Sequence, residues 1–336
     1  MAAKYKVVSL GKFGGGPMTN EEKELGSLDT EIILAPKCTT EDELIAATKD
    51  ADAILGGSPF FTQRVMEALP KCIVIATYSV GYNTIDIAAA TENNILVVNN
   101  PAYCWCVEEV SNHALTLLLA SAKKLTIQND LTKQGRWADA KQTLPPMAPI
   151  HGQTLGIVGC GDIGRMTARK AHCFGLRLLG YDPYVDRSLA EESGITLVSS
   201  LPKLLNESDF ISIHTFLNEE TWHLIGEEEF NQMKPTAYFI NTARGPNVDE
   251  GALIKALQEK KIAGAGLDVF ETEPIDPNNP LLKMDNVIVV PHSASYSDTA
   301  VEVNSINPAQ EVARVLCGKW PNNPVNETVK PKIHLV

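Results

Sequence analysis

The chain is 336 residues long, enough for two domains with full cores, and its 44% hydrophobic and 21% charged residues are those of an ordinary soluble globular protein. Its net charge of −12 argues against non-specific nucleic-acid binding and against attachment to anionic membranes, and an anionic substrate would need a local positive site working against that field. The N-terminal MAAKYKVVSL holds no apolar core of signal-peptide length, so the cytoplasm is the expected compartment; the seven scattered cysteines predict no disulfide framework and, with no second Cys or His pair near Cys104 and Cys106, no metal site.

Before residue 105 short buried strands alternate with helical stretches. Val7 to Leu10, Ile32 to Ala35, Ala53 to Leu55, Ile73 to Thr77 and Ile95 to Val98 read as strands, and Glu41 to Lys49 and Gln63 to Leu69 as helices. That rhythm predicts a parallel sheet covered on both faces. GKFGGGP, Gly11 to Pro17, lacks the Gly-Lys-Ser/Thr ending of a P-loop and reads as a loop. GGSPFF, Gly56 to Phe61, is either a ligand loop after a strand or a turn carrying two buried rings. Ser79, Val80 and Gly81 follow another strand, and their backbone N–H groups could receive a carboxylate or merely make a turn.

Val107 to Leu125 is a long amphipathic helix ending in Lys123 and Lys124, where cations suit the helix dipole, and His113 within it reads as a packing residue. Thr126 to Gly152 reads as loop-rich, with Pro145, Pro146 and Pro149, and carries Trp137; an arm gripping a second subunit fits such a segment.

The stretch from Thr154 to Pro183 reads as a complete βαβ dinucleotide reader. Gly159 permits the tight strand-to-helix turn, Gly161 lacks the Cβ that would hold the backbone away from a pyrophosphate, and Gly164 lets the helix pack close to the strand. Free N–H groups at the helix start favour the phosphates. Asp182 stands 18 residues after Gly164, near the expected gap of about 20, where a carboxylate accepts from a ribose diol and repels a 2′-phosphate. NAD is therefore expected over NADP, with Arg187 as the nearby group that would soften the preference. A lone glycine triplet also marks ordinary turns; here strand, helix and distant acid all sit where the mechanism needs them.

The alternation then resumes with strands at Phe210 to Thr215, Ala237 to Ala243, Gly264 to Val269 and Val287 to Pro291, giving six in a full dinucleotide-binding domain. From Ser297 to Gly318 a helical segment, interrupted in pattern by Pro308, leads back toward the first domain.

Arg244, Glu273 and His292 stand at or beyond the C-terminal ends of consecutive late strands, where open parallel sheets bind their ligands. Together they have the parts that reduction of a 2-oxo acid requires. His292 can give a proton to the carbonyl oxygen and recover it in reverse, Glu273 can orient the imidazole, and Arg244 can clamp the substrate carboxylate and polarise its carbonyl. Singly each has a blander reading: a surface ion pair, a loop acid, a satisfied turn residue. Asp268, closing the strand GAGLD, is a natural acceptor for the nicotinamide carboxamide, or else a turn cap.

These residues carry a resemblance. VGCGDIG with YDP, SDFISIHTFLNEETWHLI, MKPTAYFINTARGPNVDE, AGLDVFETEP and VVPHSAS are similar to the signatures of the D-isomer-specific 2-hydroxyacid dehydrogenases, over nearly the whole chain. The resemblance implies an α/β protein of two doubly wound parallel-sheet domains. A Rossmann NAD-binding domain (105–300) is inserted into a flavodoxin-like substrate domain (1–104 plus 301–336). It implies NAD-linked, reversible reduction of small anionic 2-oxo acids, with Arg244, Glu273 and His292 as the catalytic residues. Asp162, Ile163, Asp182, Thr215, Thr242, Ala243 and Asp268 match cofactor contacts, and the backbone around Val80 and Gly81 matches the substrate-carboxylate loop. It implies also a homodimer built through 105–150, with Trp137 within reach of the partner's active site. Two departures, Pro246 with Asn247 and the longer NPAYCWCVEEV, bear on which acid is taken. Three other functions share parts of the pattern. A formate dehydrogenase pairs its histidine with glutamine, which Glu273 opposes; phosphite oxidation also uses Arg, Glu and His; and an NADH-sensing corepressor carries tryptophan where Ser295 stands.

Overall fold

The structure, a computed structural model, describes residues 4–11, 17–58, 60–100 and 105–336. Most of GKFGGGP (12–16), Pro59 of GGSPFF, and 101–104 of NPAYCWCVEEV, with Tyr103 and Cys104, lie outside the described residues. The chain forms two compact units, 1–106 with 296–336, and 107–295, against divisions expected at 104/105 and 300/301. Among the described residues no helix is long and apolar enough to cross a membrane, and no group of three or more His, Cys, Asp or Glu is placed to hold a metal ion.

The first unit contains strands β1 (Tyr5–Ser9), β2 (Thr30–Leu34), β3 (Ala53–Leu55), β4 (Val74–Ala76) and β5 (Leu96–Val98). They form one parallel sheet in the order β2-β1-β3-β4-β5, the flavodoxin-like order. The strand pleat sorts its side chains. Val7, Leu55, Val74 and Val98 enter one core with Ala309, Val312 and Val315 of helix Asp298–Leu316, while Val8, Ile54, Ile75 and Val97 enter a second with Leu44, Val65 and Leu69. That helix runs unbroken through Pro308, against the interruption expected there. Proline removes one ladder hydrogen bond, but residues on both sides of it, Ala300, Ser305, Ala309 and Val312, are buried, and packing of that face outweighs the lost bond. In GGSPFF, Phe61 is buried and Phe60 packs partly against the same core.

The second unit contains β6 (Thr154–Val158), β7 (Arg177–Tyr181), β8 (Thr196–Leu197), β9 (Phe210–Ile213), β10 (Tyr238–Asn241), β11 (Gly264–Leu267) and β12 (Val287–Val289). All pair in parallel, in the order β12-β11-β10-β9-β6-β7-β8. This is the Rossmann arrangement, with its switch point between β6 and β9 and one strand more than the six expected. The strand missed is β8, whose two residues are too short to show a period. The segment read as loop-rich also holds two helices, Leu125–Lys133 and Trp137–Gln142, and neither buries much of itself in this unit.

Register matters most for the site. Val158, Ile213, Asn241, Leu267 and Val289 stand in one row across β6, β9, β10, β11 and β12. Five strands therefore end level, and whatever follows each of them emerges on the same edge.

Candidate active site

Beyond that row the chain releases Gly159, Thr215, Thr242, Arg244, Asp268 and His292, each within three residues of its strand's end. The glycine loop comes first. Gly159 has φ 89°, a left-handed value that favours glycine, and a Cβ there would lie 2.9 Å from the His214 backbone. A Cβ on Gly164 would lie 2.1 Å from the Gly159 carbonyl oxygen, so helix Asp162–His172 lies against the loop only because that Cβ is missing. A Cβ on Gly161 would meet nothing within 4 Å; the space over the helix N-terminus is open. Asp162 opens the helix and pairs with Arg165 at 2.6 Å, and Ile163 is half-buried beside it.

Two hydroxyls on the same edge, Thr215 Oγ1 and Thr242 Oγ1, are buried without a hydrogen-bond partner. Buried polar atoms are normally satisfied, so two orphans beside an open helix N-terminus fit a polar ligand such as a dinucleotide. Ala243 is fixed by its N–H, which donates to Asn241 Oδ1 at 3.0 Å.

Asp182 stands at the end of β7 as expected, with both oxygens already accepting from backbone: Oδ2 from Cys160 N at 2.8 Å, Oδ1 from Tyr184 N at 2.8 Å and Val185 N at 3.1 Å. A carboxylate has about four acceptor positions, which leaves one for a sugar hydroxyl. Arg187 pairs loosely with Glu191 on its own helix, at 3.7 Å.

The catalytic-type residues come together. Glu273 Oε2 lies 2.7 Å from His292 Nδ1, and Glu273 Oε1 accepts from Phe270 N at 3.0 Å. Burial alone would raise the Glu273 carboxyl pKa. The hydrogen bonds from His292 and Phe270 N–H, with the charges of His292 and Arg244, more than reverse that and hold it below the usual glutamate value. Glu273 takes Nδ1, which leaves Nε2 as the nitrogen for proton exchange. Arg244 has extended backbone; its carbonyl accepts from Asn241 Nδ2 and its Nη1 donates to Ala243 O at 2.7 Å. A Cβ on the next residue, Gly245, would lie 1.9 Å from the Phe270 carbonyl, so the Arg244 turn sits directly on the segment that leads to Glu273.

Asp268 directly follows β11 and holds the turn that carries His292. It is fully buried; Oδ1 accepts from Ser293 N at 2.7 Å and Oδ2 from Ala294 N at 2.9 Å, while its own carbonyl accepts from His292 N at 2.8 Å. It caps the turn that carries His292. His113, read as a packing residue, puts Nε2 3.7 Å from Asp268 Oδ1, and this nitrogen is buried with no hydrogen bond. Nothing in the spacing of 113 and 268 signals the approach. Asn247 is also fully buried and ties Phe216 O and Thr221 O through its Nδ2.

In the first unit, Ser79 O accepts from Asn100 N and Thr77 Oγ1, Val80 O from Asn99 Nδ2, and Gly81 O from Ser79 Oγ. The carbonyls of this loop are thus committed to the protein.

Residues 115–294 match the family model described as D-isomer specific 2-hydroxyacid dehydrogenase, NAD binding domain. A glyoxylate reductase of Korarchaeum cryptofilum is 42% identical over 289 residues, 85% of this chain and 86% of the relative. A D-lactate dehydrogenase from Aquifex aeolicus, solved with NAD and lactic acid, has a TM-score of 0.81 at 30% identity, covering 96% of this chain and 99% of that one. An NADPH-dependent glyoxylate/hydroxypyruvate reductase from Sinorhizobium meliloti, solved with citrate, has a TM-score of 0.82 at 27% identity, covering 98% and 100%. With a matched domain spanning more than half its length and a relative aligned over most of both chains, the protein belongs to the D-isomer-specific 2-hydroxyacid dehydrogenase family.

Proposed function

We propose that this protein is an NAD-dependent 2-oxo acid reductase, working reversibly as a D-2-hydroxyacid dehydrogenase, with Arg244, Glu273 and His292 as its catalytic residues. The observation that carries the reading is the 2.7 Å pairing of Glu273 with His292, on the strand edge that also presents Arg244 and the glycine loop. Gly159, Gly161, Asp162, Ile163 and Gly164 would hold the pyrophosphate, Asp182 the ribose, and Thr215, Thr242 and Ala243 the rest of the dinucleotide. Bound there, a reduced nicotinamide supplies the hydride.

The chain's own residues do the remainder. The Arg244 guanidinium holds the substrate carboxylate through paired hydrogen bonds and draws electron density from the carbonyl. His292 Nε2 delivers a proton to the carbonyl oxygen as it becomes an alcohol, while ionised Glu273 keeps the ring in one orientation and faces the charge of the imidazolium. In the first unit, the substrate domain of this reading, Ser79, Val80 and Gly81 have their carbonyls bonded within the protein, which supports reading their backbone N–H groups as a carboxylate receiver.

The Asp182 carboxylate supports NAD over NADP, because a 2′-phosphate would meet a charge already fixed by three backbone N–H groups. Leu125, Trp137 and Leu144 are exposed along the arm, which supports a homodimer formed through 105–150. The reading places the enzyme in the cytoplasm.

The test follows NADH and NADPH absorbance with glyoxylate, hydroxypyruvate, pyruvate and bulkier 2-oxo acids. Glyoxylate comes first because the Korarchaeum relative is named a glyoxylate reductase. Turnover with at least one acid, faster with NADH, is expected, with a loss of about 100-fold or more in His292→Ala while NADH still binds. Tight NADH binding with no turnover on any acid would overturn the assignment in favour of an NADH sensor.

A further inference from the structure

Among the described residues five other than glycine have positive φ: Asn94, Lys124, His223, Lys260 and His292. Asn94 and Lys260 follow the ends of helices Ile87–Glu92 and Glu250–Gln258, and Lys124 joins two helices, places where a left-handed residue is ordinary. The two histidines are different. His223 closes a single turn over 218–222, and His292 carries the proposed proton. Histidine takes up positive φ more readily than most residues, and His223 follows a helical turn closed by Trp222 N on Asn218 O, so what sets the two histidines apart is what their rings hold.

Both histidines also hold a glutamate of the same short segment. His292 Nδ1 meets Glu273 at 2.7 Å and His223 Nε2 meets Glu271 at 2.5 Å. Trp222 stacks against the His223 ring at 4.9 Å, with 20° between the planes. The His223 backbone N–H donates to Pro246 O at 2.8 Å, two residues beyond Arg244, and Asn247 Nδ2 binds the carbonyls of Phe216 and Thr221 in the same strap. Glu271 N donates in turn to Glu250 Oε2. His223 thus grips both partners of one close contact: the Arg244 turn through its backbone, and the 270–273 segment, on which Gly245 sits, through its ring.

We infer that His223 is a positioning residue, whose bond to Glu271 sets the 270–273 segment so that Glu273 reaches His292 and Arg244 stays beside it. The inference rests on the reading of Arg244, Glu273 and His292 as the reaction centre. His223 acts through Glu273, not on the substrate, and it engages the second carboxylate of the segment, so that Glu273 alone pairs with His292.

The experiment compares wild type, His223→Ala, His223→Gln, Glu273→Gln and the double variant His223→Ala/Glu273→Gln. His223→Ala is expected to lower kcat about 10- to 100-fold, the scale of a small misplacement of a catalytic group, with the NADH dissociation constant and Tm nearly unchanged. His223→Gln, which keeps an N–H for Glu271, recovers most of the rate. In the Glu273→Gln background the same alanine change costs little more, because the residue through which it acts is already gone. A second readout does not use the reaction: the imidazole 15N resonances of His292, assigned with His292→Ala, show Nδ1 protonated in the wild type and move toward a tautomer mixture in His223→Ala. Additive kinetic losses, or His292 resonances unchanged by His223→Ala, would overturn the inference. A wild type that turns over no 2-oxo acid would sink the reaction assigned above, while the resonances would still decide whether His223 positions the pair.

Discussion

Nδ1 of His292 and Oε2 of Glu273 are 2.7 Å apart, and the carboxylate's other oxygen is held by the N–H of Phe270 three residues before it. One group thus fixes both the loop's shape and the ring's orientation, which separates the effect of charge from that of position. Glu273→Gln keeps the size and a hydrogen-bonding group but removes the charge that faces an imidazolium. We expect kcat to fall about 100- to 1,000-fold with little change in the KM of the 2-oxo acid. The pH dependence has a definite sign. The folded-state pKa of Glu273 is held below its ordinary value, so its contribution to stability is present at neutral pH and is lost as pH falls through that lowered value. Because the pair is partly exposed, that contribution is small, and kinetics rather than melting temperature is the measurement that checks the assignment.

Gly161 and Gly164 make a contrast that a single motif would hide. A Cβ at Gly164 runs into a backbone oxygen at 2.1 Å, whereas a Cβ at Gly161 enters open space and its backbone, at φ −66°, is allowed to any residue. Gly164→Ala should therefore destabilise the fold by about 1–3 kcal/mol or more, visible as a drop of several degrees in Tm with or without cofactor. Gly161→Ala should melt within about 1 °C of the wild type yet bind NADH about 10-fold more weakly or worse, a loss of about 1.4 kcal/mol. Fluorescence titration and thermal melts on the two variants decide it; equal effects on both measurements would refute the division of labour.

That contrast also shows where a sequence speaks. The glycine loop, its strand and Asp182 were legible because a tight turn, a close approach and a ribose acceptor each demand one residue type at a set distance along the chain. Arg244 and His292 were legible for a related reason: they follow buried apolar runs, and parallel strands ending level bring such residues to one edge. What stayed hidden lacks local pattern. β8 has two residues, and the helices of 125–142 bury almost nothing within their unit. His113 comes close to Asp268, and His223 meets a glutamate 48 residues on. Contacts of that kind are set by how the whole sheet stacks its loops, and no period or spacing encodes them.

His214 supplies a test of the fold that is independent of catalysis. It follows β9, its Nε2 lies 2.9 Å from Ser212 Oγ, and its Nδ1 is buried with no hydrogen bond. Burial lowers its pKa from 6.5 to about 4, since a charged ring there would lose its hydration. The sign follows from linkage: with the folded-state pKa below the unfolded one, the unfolded chain takes up the proton first, so stability falls as pH drops from about 6.5 to about 4 and gains nothing above that window. A shift of this size bounds the loss at about 3 kcal/mol. Melting temperatures between pH 7 and pH 4.5 should therefore decline more steeply in the wild type than in His214→Asn, which keeps a polar group for Ser212 but does not titrate. Carboxylates such as Glu273 titrate lower and are common to both proteins, so they leave the difference between the two curves intact. Parallel curves across that window would mean that His214 can be charged in the folded state and that its ring is open to water.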